Sequence, residues 1–506
     1  MLFRFGFHHF ILALFPVLLL FLDNINEIPI HDIIVPLSVS LVIVSILWVL
    51  LTYFIGEKKS AVIISLLIVA LLVFSYTRSA LIYSDILELR FVTNNIILIP
   101  IFSLATVLAI IQILRRKFSS NITSIMNVVS ITAVSFMVFQ IGLFYTIDPS
   151  YDEAQTLLDV PLFQTGESNQ IPDVYLLLLD AYSGDITLKN DFEYDNSEFY
   201  KQLETKGFFV QKEGFSNYPN TELSMPSIMN MNYLDFIPQL QGKDSVDMRL
   251  TQKLWNNNKV MQVFHSLGYE IYSFHGRSGS SSNMVTENFC RYDFDLNAEL
   301  ASALINHYVP ISIIRENLSE NKHYDNIMCI LNTAINFENQ TNTPFYMHMH
   351  IRFPHQPLIF DSEGNRVSDP ISPNRFDSEL KDAYLQQLIF ANKKTLEIID
   401  SIQQRNPDAV IIVMSDHGGR FGVDWLNPSE MDYFRALNNL TALYFPEKEL
   451  DIPTYVSAVN VFRIFFNVYF DADYEIFDEK LIWYHPSKPF IQIDVTELVK
   501  SSSLVN

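Results

Sequence analysis

The chain has 506 residues, a formal net charge of −22 and two cysteines. An acid excess of that size repels nucleic acid, and two cysteines are too few for a disulfide framework. The length exceeds one ordinary domain and the apolar residues are unevenly spread, so the chain divides into parts.

Five long apolar stretches crowd the first 145 residues, at 5–22, 33–55, 61–75, 95–114 and 125–145. Each approaches the roughly 20 residues that cross a bilayer as a helix, the third being the shortest. Arg4, Lys58, Lys59, Arg115, Arg116 and Lys117 fall on one side of these spans. The other side has Arg78 and Arg90 beside Asp23, Glu27, Asp32, Asp85 and Glu88. The positive-inside rule then predicts a multi-pass plasma-membrane protein with a cytoplasmic N-terminus and everything after Tyr145 outside. No small-x-small cleavage site follows the first stretch, which reads as a retained anchor. No span carries a buried charge of the kind that lines an ion pathway, which counts against a transporter.

The first 150 residues hold eight basic and seven acidic side chains, so the acid excess belongs to the later part. We expect an all-α membrane domain at 1–147, a polar linker at 148–170, a soluble domain at 171–495 and a polar tail at 496–506. Cys290 and Cys329 lie in the outside part, where pairing is permitted, and the sequence alone leaves them unassigned.

The soluble domain opens with the buried strand Val174 to Leu179, and Asp180 stands at its carboxyl end. NSEFYKQLETKG reads as an amphipathic helix with Asn196 or Ser197 as cap and Gly207 as terminator. A helix at 258–267 and a strand at 270–274 come next, with His275 at the strand's end. Residues 344–350 read as a strand, 378–404 as one or two helices, and AVIIVMSDHGG at 409–419 as a buried strand that runs into Asp416 and His417. Strands alternating with helices predict a layered α/β domain on a mostly parallel sheet. Such sheets collect their chemistry at the carboxyl ends of the strands.

Singly, each of these strand-end residues is more often a cap, a turn or a satisfied polar group. Together, Asp180, Asp416 and His417 make a mixed oxygen and nitrogen set that suits one divalent ion, manganese, zinc or magnesium. A group-transfer site also needs a nucleophile, and Thr221 in NYPNTELSMPSIMN is the candidate. A hydroxyl at a helix N-terminus meets free N–H groups and positive charge, which favour both an alkoxide and a phosphoryl oxygen.

Asp180, Thr221 and Asp416-His417, in that order, resemble the alkaline phosphatase and sulfatase superfamily. TELSMPSIMN resembles the nucleophile segment of its membrane-bound phosphoethanolamine transferases and lipoteichoic acid synthases, which also carry a membrane domain of about five spans. The resemblance implies an alkaline-phosphatase-like fold over residues 172–490 and a metal held by Asp180, Thr221, Asp416 and His417. It further implies catalysis by Thr221 through a phosphothreonine intermediate. His355 in PHQP matches a His that contacts the phosphoryl group, with His350 the second choice and His348 the third. His275 in FHG resembles another substrate-side His, and Arg277 stands close by. The implied partners are the membrane, a phospholipid donor and a glycan, lipid or polymer acceptor. Sulfatases of the superfamily convert a Cys or Ser in a Cys/Ser-x-Pro-x-Arg context. Here Thr221 is followed by Glu222, Leu223, Ser224 and Met225, so sulfate-ester hydrolysis is not expected. A phosphatase or phosphodiesterase would use the same residues with water as acceptor, and an inactive membrane scaffold would have lost a ligand.

Overall fold

A computed structural model describes residues 6–25, 30–82, 95–116, 120–146, 151–158, 171–274, 283–290, 304, 312–367, 378–446, 455–485 and 487–504. The chain separates into two compact units, residues 1–148 with 292–319, and residues 149–291 with 320–506.

The first unit contains the helices His8–Asp23, Ile34–Ile55, Glu57–Ile82, Asn95–Arg115 and Ser120–Thr146. Four apolar stretches, beginning at Ile34, Glu57, Ile97 and Asn121, are long enough to cross a membrane. The first helix is shorter, with 16 residues, and it buries Val17, Leu18 and Phe21 against Leu72, Val134, Met137 and Ile141. The third span, expected to be the shortest, is instead a helix of 26 residues from Glu57 to Ile82. Its polar ends carry on the helix because only intrahelical bonds satisfy backbone N–H and C=O groups in lipid.

The second unit is built on a seven-stranded sheet. Its strands are β1 (Val174–Leu179), β2 (Phe209–Phe215), β3 (Glu270–Phe274), β4 (Glu287–Phe289), β5 (Phe345–Ile351), β6 (Val410–Met414) and β7 (Asn438–Tyr444), in the order β2-β7-β6-β1-β5-β3-β4. The run β6-β1-β5-β3-β4 is parallel, and β7 and β2 extend it antiparallel at one side. Both faces of β1 are buried. Tyr175, Leu177 and Leu179 enter one apolar core, and Val174, Leu176 and Leu178 enter the other. This explains why the strand reads as an unbroken apolar run rather than an alternating one. Leu178 lies opposite both His350 and Met414, so β1, β5 and β6 finish at one edge. The residues just beyond their carboxyl ends are thereby gathered in one place.

Two segments expected to be a linker and a tail contain short helices. Residues Tyr151–Leu157, expected in the linker, form a helix. Ala154 and Leu158, one turn apart, bury against Tyr218, Leu223, Ile237 and Leu250, a spacing of four that puts them on one face. The tail likewise forms the helix Thr496–Lys500 and sinks Val499 beside Leu481 and Trp483. Cys290 and Cys329, which the sequence leaves unassigned, form a disulfide with Cα atoms 5.9 Å apart.

Candidate active site

Asp180 comes directly after β1, and its backbone N–H donates to the Ile351 carbonyl at 3.0 Å. That bond continues the parallel ladder one residue beyond the strand and fixes the carboxylate against β5. Asp416 comes after β6 and Ser415. Its Oδ1 accepts from the backbone N–H of Ala181 at 3.3 Å and of His417 at 3.1 Å. Ser415 ties the two strand ends together, since its Oγ accepts from the Tyr182 N–H at 2.9 Å and donates to the His417 carbonyl at 2.7 Å.

The Asp416-His417-Gly418-Gly419 turn is glycine-bearing for want of space. A Cβ on Gly418 would stand 2.4 Å from the Arg435 carbonyl oxygen and 2.9 Å from that of Asn438, and one on Gly419 would stand 2.7 Å from the Ser183 hydroxyl. Backbone oxygens cannot yield as a flexible side chain can, so Gly418 is fixed by close approach rather than by an unusual φ.

Thr221 is the first residue of the helix Thr221–Asn230, and Asn220, in extended conformation, is the N-cap. With Thr221 itself as cap the helix would begin one residue later. Its place inside the first turn directs the hydroxyl away from its own backbone and toward the strand ends. The Thr221 hydroxyl donates to Asp416 Oδ2 at 2.6 Å and lies 3.1 Å from His417 Nε2. Ser224, one turn on, donates to the Asp416 carbonyl at 2.6 Å, so the helix that carries Thr221 and the Asp-His turn are bonded directly.

Asp180, Asp416 and His417 are buried, and one ligand atom from each lies within 4.8 Å of the others. His417 Nδ1–H donates to the Gly418 carbonyl at 2.7 Å, which leaves Nε2 as the free lone pair. That nitrogen stands 3.6 Å from Asp180 Oδ1 and 3.4 Å from Asp416 Oδ2. Asp180 Oδ1 is buried with no hydrogen-bond partner. Two carboxylates, one of them with an orphaned oxygen, and an oriented imidazole fit a divalent cation.

The electrostatics agree. Burial, then the neighbouring Asp180 charge, push the Asp416 carboxyl up to about 6. Burial would raise Asp180 too, yet His355, His350 and His417 together hold it well below the usual carboxylate range. Burial, helped by the Arg420 charge, pulls His417 down to about 3 and keeps it neutral, as a ligand must be.

His350 and His348 share one face of β5, as alternation predicts. His350 Nε2 stands 3.4 Å from Asp180 Oδ2; burial opposes its charge, but Asp180 raises its pKa. His348 lies deeper, with Nδ1 3.0 Å from the Tyr346 hydroxyl. His355 comes after β5 and Pro354, and its Nδ1–H donates to the Gln356 carbonyl at 2.6 Å. It lines a cleft of about 300 Å³ with Ala181, Gln356, Arg420, Phe421 and Trp425. His275 and Arg277 lie outside the described residues. Sequence reasoning missed Arg420 and Trp425, which stand in a loop without periodicity, and His323, which comes from the helix Ser312–Asn336. The charges of Arg352, His355 and Asp180 all reach His323.

A largely parallel sheet with a buried Asp after its central strand, an Asp-His pair after the next, and a helix-borne hydroxyl between them defines the alkaline phosphatase and sulfatase superfamily. Within it, this chain belongs to the sulfatase family, whose model matches residues 172–443. No curated protein matches the chain. Among solved structures it is similar to the C-terminal periplasmic domain of EptC from Escherichia coli, in complex with zinc, at 12% identity and a TM-score of 0.40, covering 66% of this chain and 96% of that one. It is also similar to the integral membrane lipooligosaccharide phosphoethanolamine transferase A of Neisseria meningitidis, at 12% identity and a TM-score of 0.36, covering 85% and 82%. A third likeness is to a 4S-sulf protein of a glycosaminoglycan locus in Bacteroides thetaiotaomicron, at 13% identity and a TM-score of 0.40, covering 64% and 84%.

Proposed function

We propose that the protein is a membrane-anchored, metal-dependent transferase. It moves a phosphoglycerol- or phosphoethanolamine-type group from a phospholipid donor to an extracytoplasmic glycan, lipid or polymer acceptor through phosphothreonine at Thr221. The observation that carries this reading is the Thr221 hydroxyl, 2.6 Å from Asp416 and 3.1 Å from His417 at a helix N-terminus. A divalent ion held by Asp180, Asp416, His417 and Thr221 would act as a Lewis acid and lower the pKa of the hydroxyl. Thr221 Oγ1 forms a bond to phosphorus as the bond from phosphorus to the diacylglycerol oxygen breaks. His355, whose Nδ1–H is held by the Gln356 carbonyl, keeps a free lone pair at Nε2, which takes up the Thr221 hydroxyl proton as the attack proceeds and passes it to the departing diacylglycerol oxygen. An acceptor hydroxyl then attacks phosphorus, returns its proton through the same nitrogen, and restores Thr221.

Thr221 is neither Cys nor Ser and lacks the following Pro and Arg, which favours phosphoryl over sulfuryl chemistry despite the family name. The Cys290–Cys329 disulfide supports an oxidising, extracytoplasmic compartment. Tethering to the bilayer raises the effective concentration of a lipid donor.

The test is incubation of the purified full chain, with manganese, zinc or magnesium, with labelled phosphatidylglycerol and phosphatidylethanolamine. Diacylglycerol should be released, phosphothreonine should be found at Thr221 by mass spectrometry, and Thr221→Ala should lose both. Release of free head group into water without acceptor labelling would make the protein a phosphodiesterase. Release from neither lipid would overturn the lipid-donor reading.

A further inference from the structure

The cleft beside the candidate metal ligands is bounded by two residues that the metal chemistry leaves unused. Ala181 is the next residue after Asp180, and Arg420 comes three residues after His417. Both are non-glycine residues in the left-handed region, with φ of 61° and 60°, and both line the cleft. Non-glycine residues at such φ are uncommon and concentrate where the surrounding structure fixes a functional backbone.

Arg420 is half-buried. Among the described residues its guanidinium has no hydrogen-bond or ion-pair partner. Other arginines of this unit are committed. Arg435 bonds Asp191 and Asp432, Arg463 bonds the Met231 and Glu475 carbonyls, and Arg249 bonds Asp247. The Arg420 charge nevertheless reaches the reacting end, where it acts on Asp416, His417 and His355.

Among the described residues the remaining lining holds no carboxylate: His355, Gln356, Phe421 and Trp425 complete it with glycines. Two further acids, Glu222 and Asp424, lie outside that lining. Glu222 Oε2 accepts from Asn220 Nδ2 at 3.0 Å, and Asp424 Oδ1 accepts from the backbone N–H groups of Leu426 and Asn427. Trp425 stacks on Trp483 with centroids 4.9 Å apart and lies 5.8 Å from Tyr484, so its ring is a fixed wall. A guanidinium without an ion-pair partner attracts anionic and hydroxyl oxygens and repels ammonium.

We propose that this cleft selects the transferred head group, and that Arg420 is its specificity residue, favouring a glycerol-type polyol phosphate and rejecting an ethanolamine phosphate. The proposal deepens the transferase reading and rests on it for the identity of the site. Its test does not require turnover. Titration calorimetry of the metal-loaded full chain should show glycerol 3-phosphate binding at least tenfold more tightly than O-phosphoethanolamine. Arg420→Asn removes the charge while keeping a residue that tolerates left-handed φ; it should weaken glycerol phosphate at least tenfold and bring the two ligands to within threefold of each other. Arg420→Lys should keep the preference, which separates loss of charge from loss of fold. Equal or tighter binding of phosphoethanolamine, no binding of glycerol phosphate, or an unchanged ratio in Arg420→Asn would overturn the proposal. If neither lipid releases diacylglycerol while the two phosphates are still discriminated, the transferase reading falls and the selectivity of the cleft stands.

Discussion

Asp416 is fully buried next to a second carboxylate, and its own hydrogen bonds do not compensate for that repulsion. Its pKa therefore rises to about 6, whereas a divalent cation would require it ionised. The sign is set by competition between proton and metal. Below about pH 6 the metal-free protein carries a proton on Asp416, which must leave before the ion is fully bound. Metal affinity should hold steady above about pH 7 and fall toward tenfold per pH unit below about 6. Competition titrations with a chelating dye between pH 5 and 8 check this, and a flat profile would remove Asp416 from the ligand set. Asp180, Thr221, Asp416 and His417 were legible in the sequence because three lie just beyond unmistakable buried strands and the fourth opens a helix. Arg420 was not, because its place in the cleft depends on a left-handed backbone that no local pattern announces. Ser224 read as a neighbour on a helix turn, and only its bond to the Asp416 carbonyl reveals it as the brace between helix and turn.

At the scale of elements, the site depends on how closely the turn after β6 passes the start of β7. Gly418 N–H donates to the Ala436 carbonyl at 2.9 Å, and the space over its Cα is filled by the Arg435 and Asn438 carbonyls. Gly418→Ala would force the turn away from β7, and overpacking of this kind costs about 1 to 3 kcal/mol. Thermal unfolding of the metal-loaded variant should shift down by several degrees, and transfer activity should fall further than stability because Asp416 and His417 move with the turn. An unchanged melting temperature would show that the turn has slack. The strands that carry ligands were legible for the reason that makes them rigid, burial on both faces. β2 was not: FVQKEGF alternates imperfectly, and the register shift between Gln211 and Gly214 breaks the period-two pattern on which such a reading depends. The helix at Tyr151–Leu157 escaped notice because about two turns of mixed polarity carry little periodic signal.

For the whole molecule, the arrangement that matters is which side of the membrane receives the sheet domain. Lys58, Lys59, Arg115 and Arg116 flank the loops at one end of the apolar helices, and the positive-inside rule assigns that end to the cytoplasm. The helix Ser120–Thr146 starts at that end, so we expect its other end, and the residues after it, outside. Only there would the Cys290–Cys329 disulfide persist against the thiol pool of the cell. Both arguments are independent, and one experiment joins them. In intact cells treated first with a membrane-permeant reductant, an impermeant maleimide should label Cys290 and Cys329, whereas without reductant it should label neither. A single Cys introduced at Lys58 in a Cys290→Ser, Cys329→Ser background should stay unlabelled until the membrane is opened. Labelling of position 58 in sealed cells would invert the topology, and the acceptor would then have to be sought in the cytoplasm.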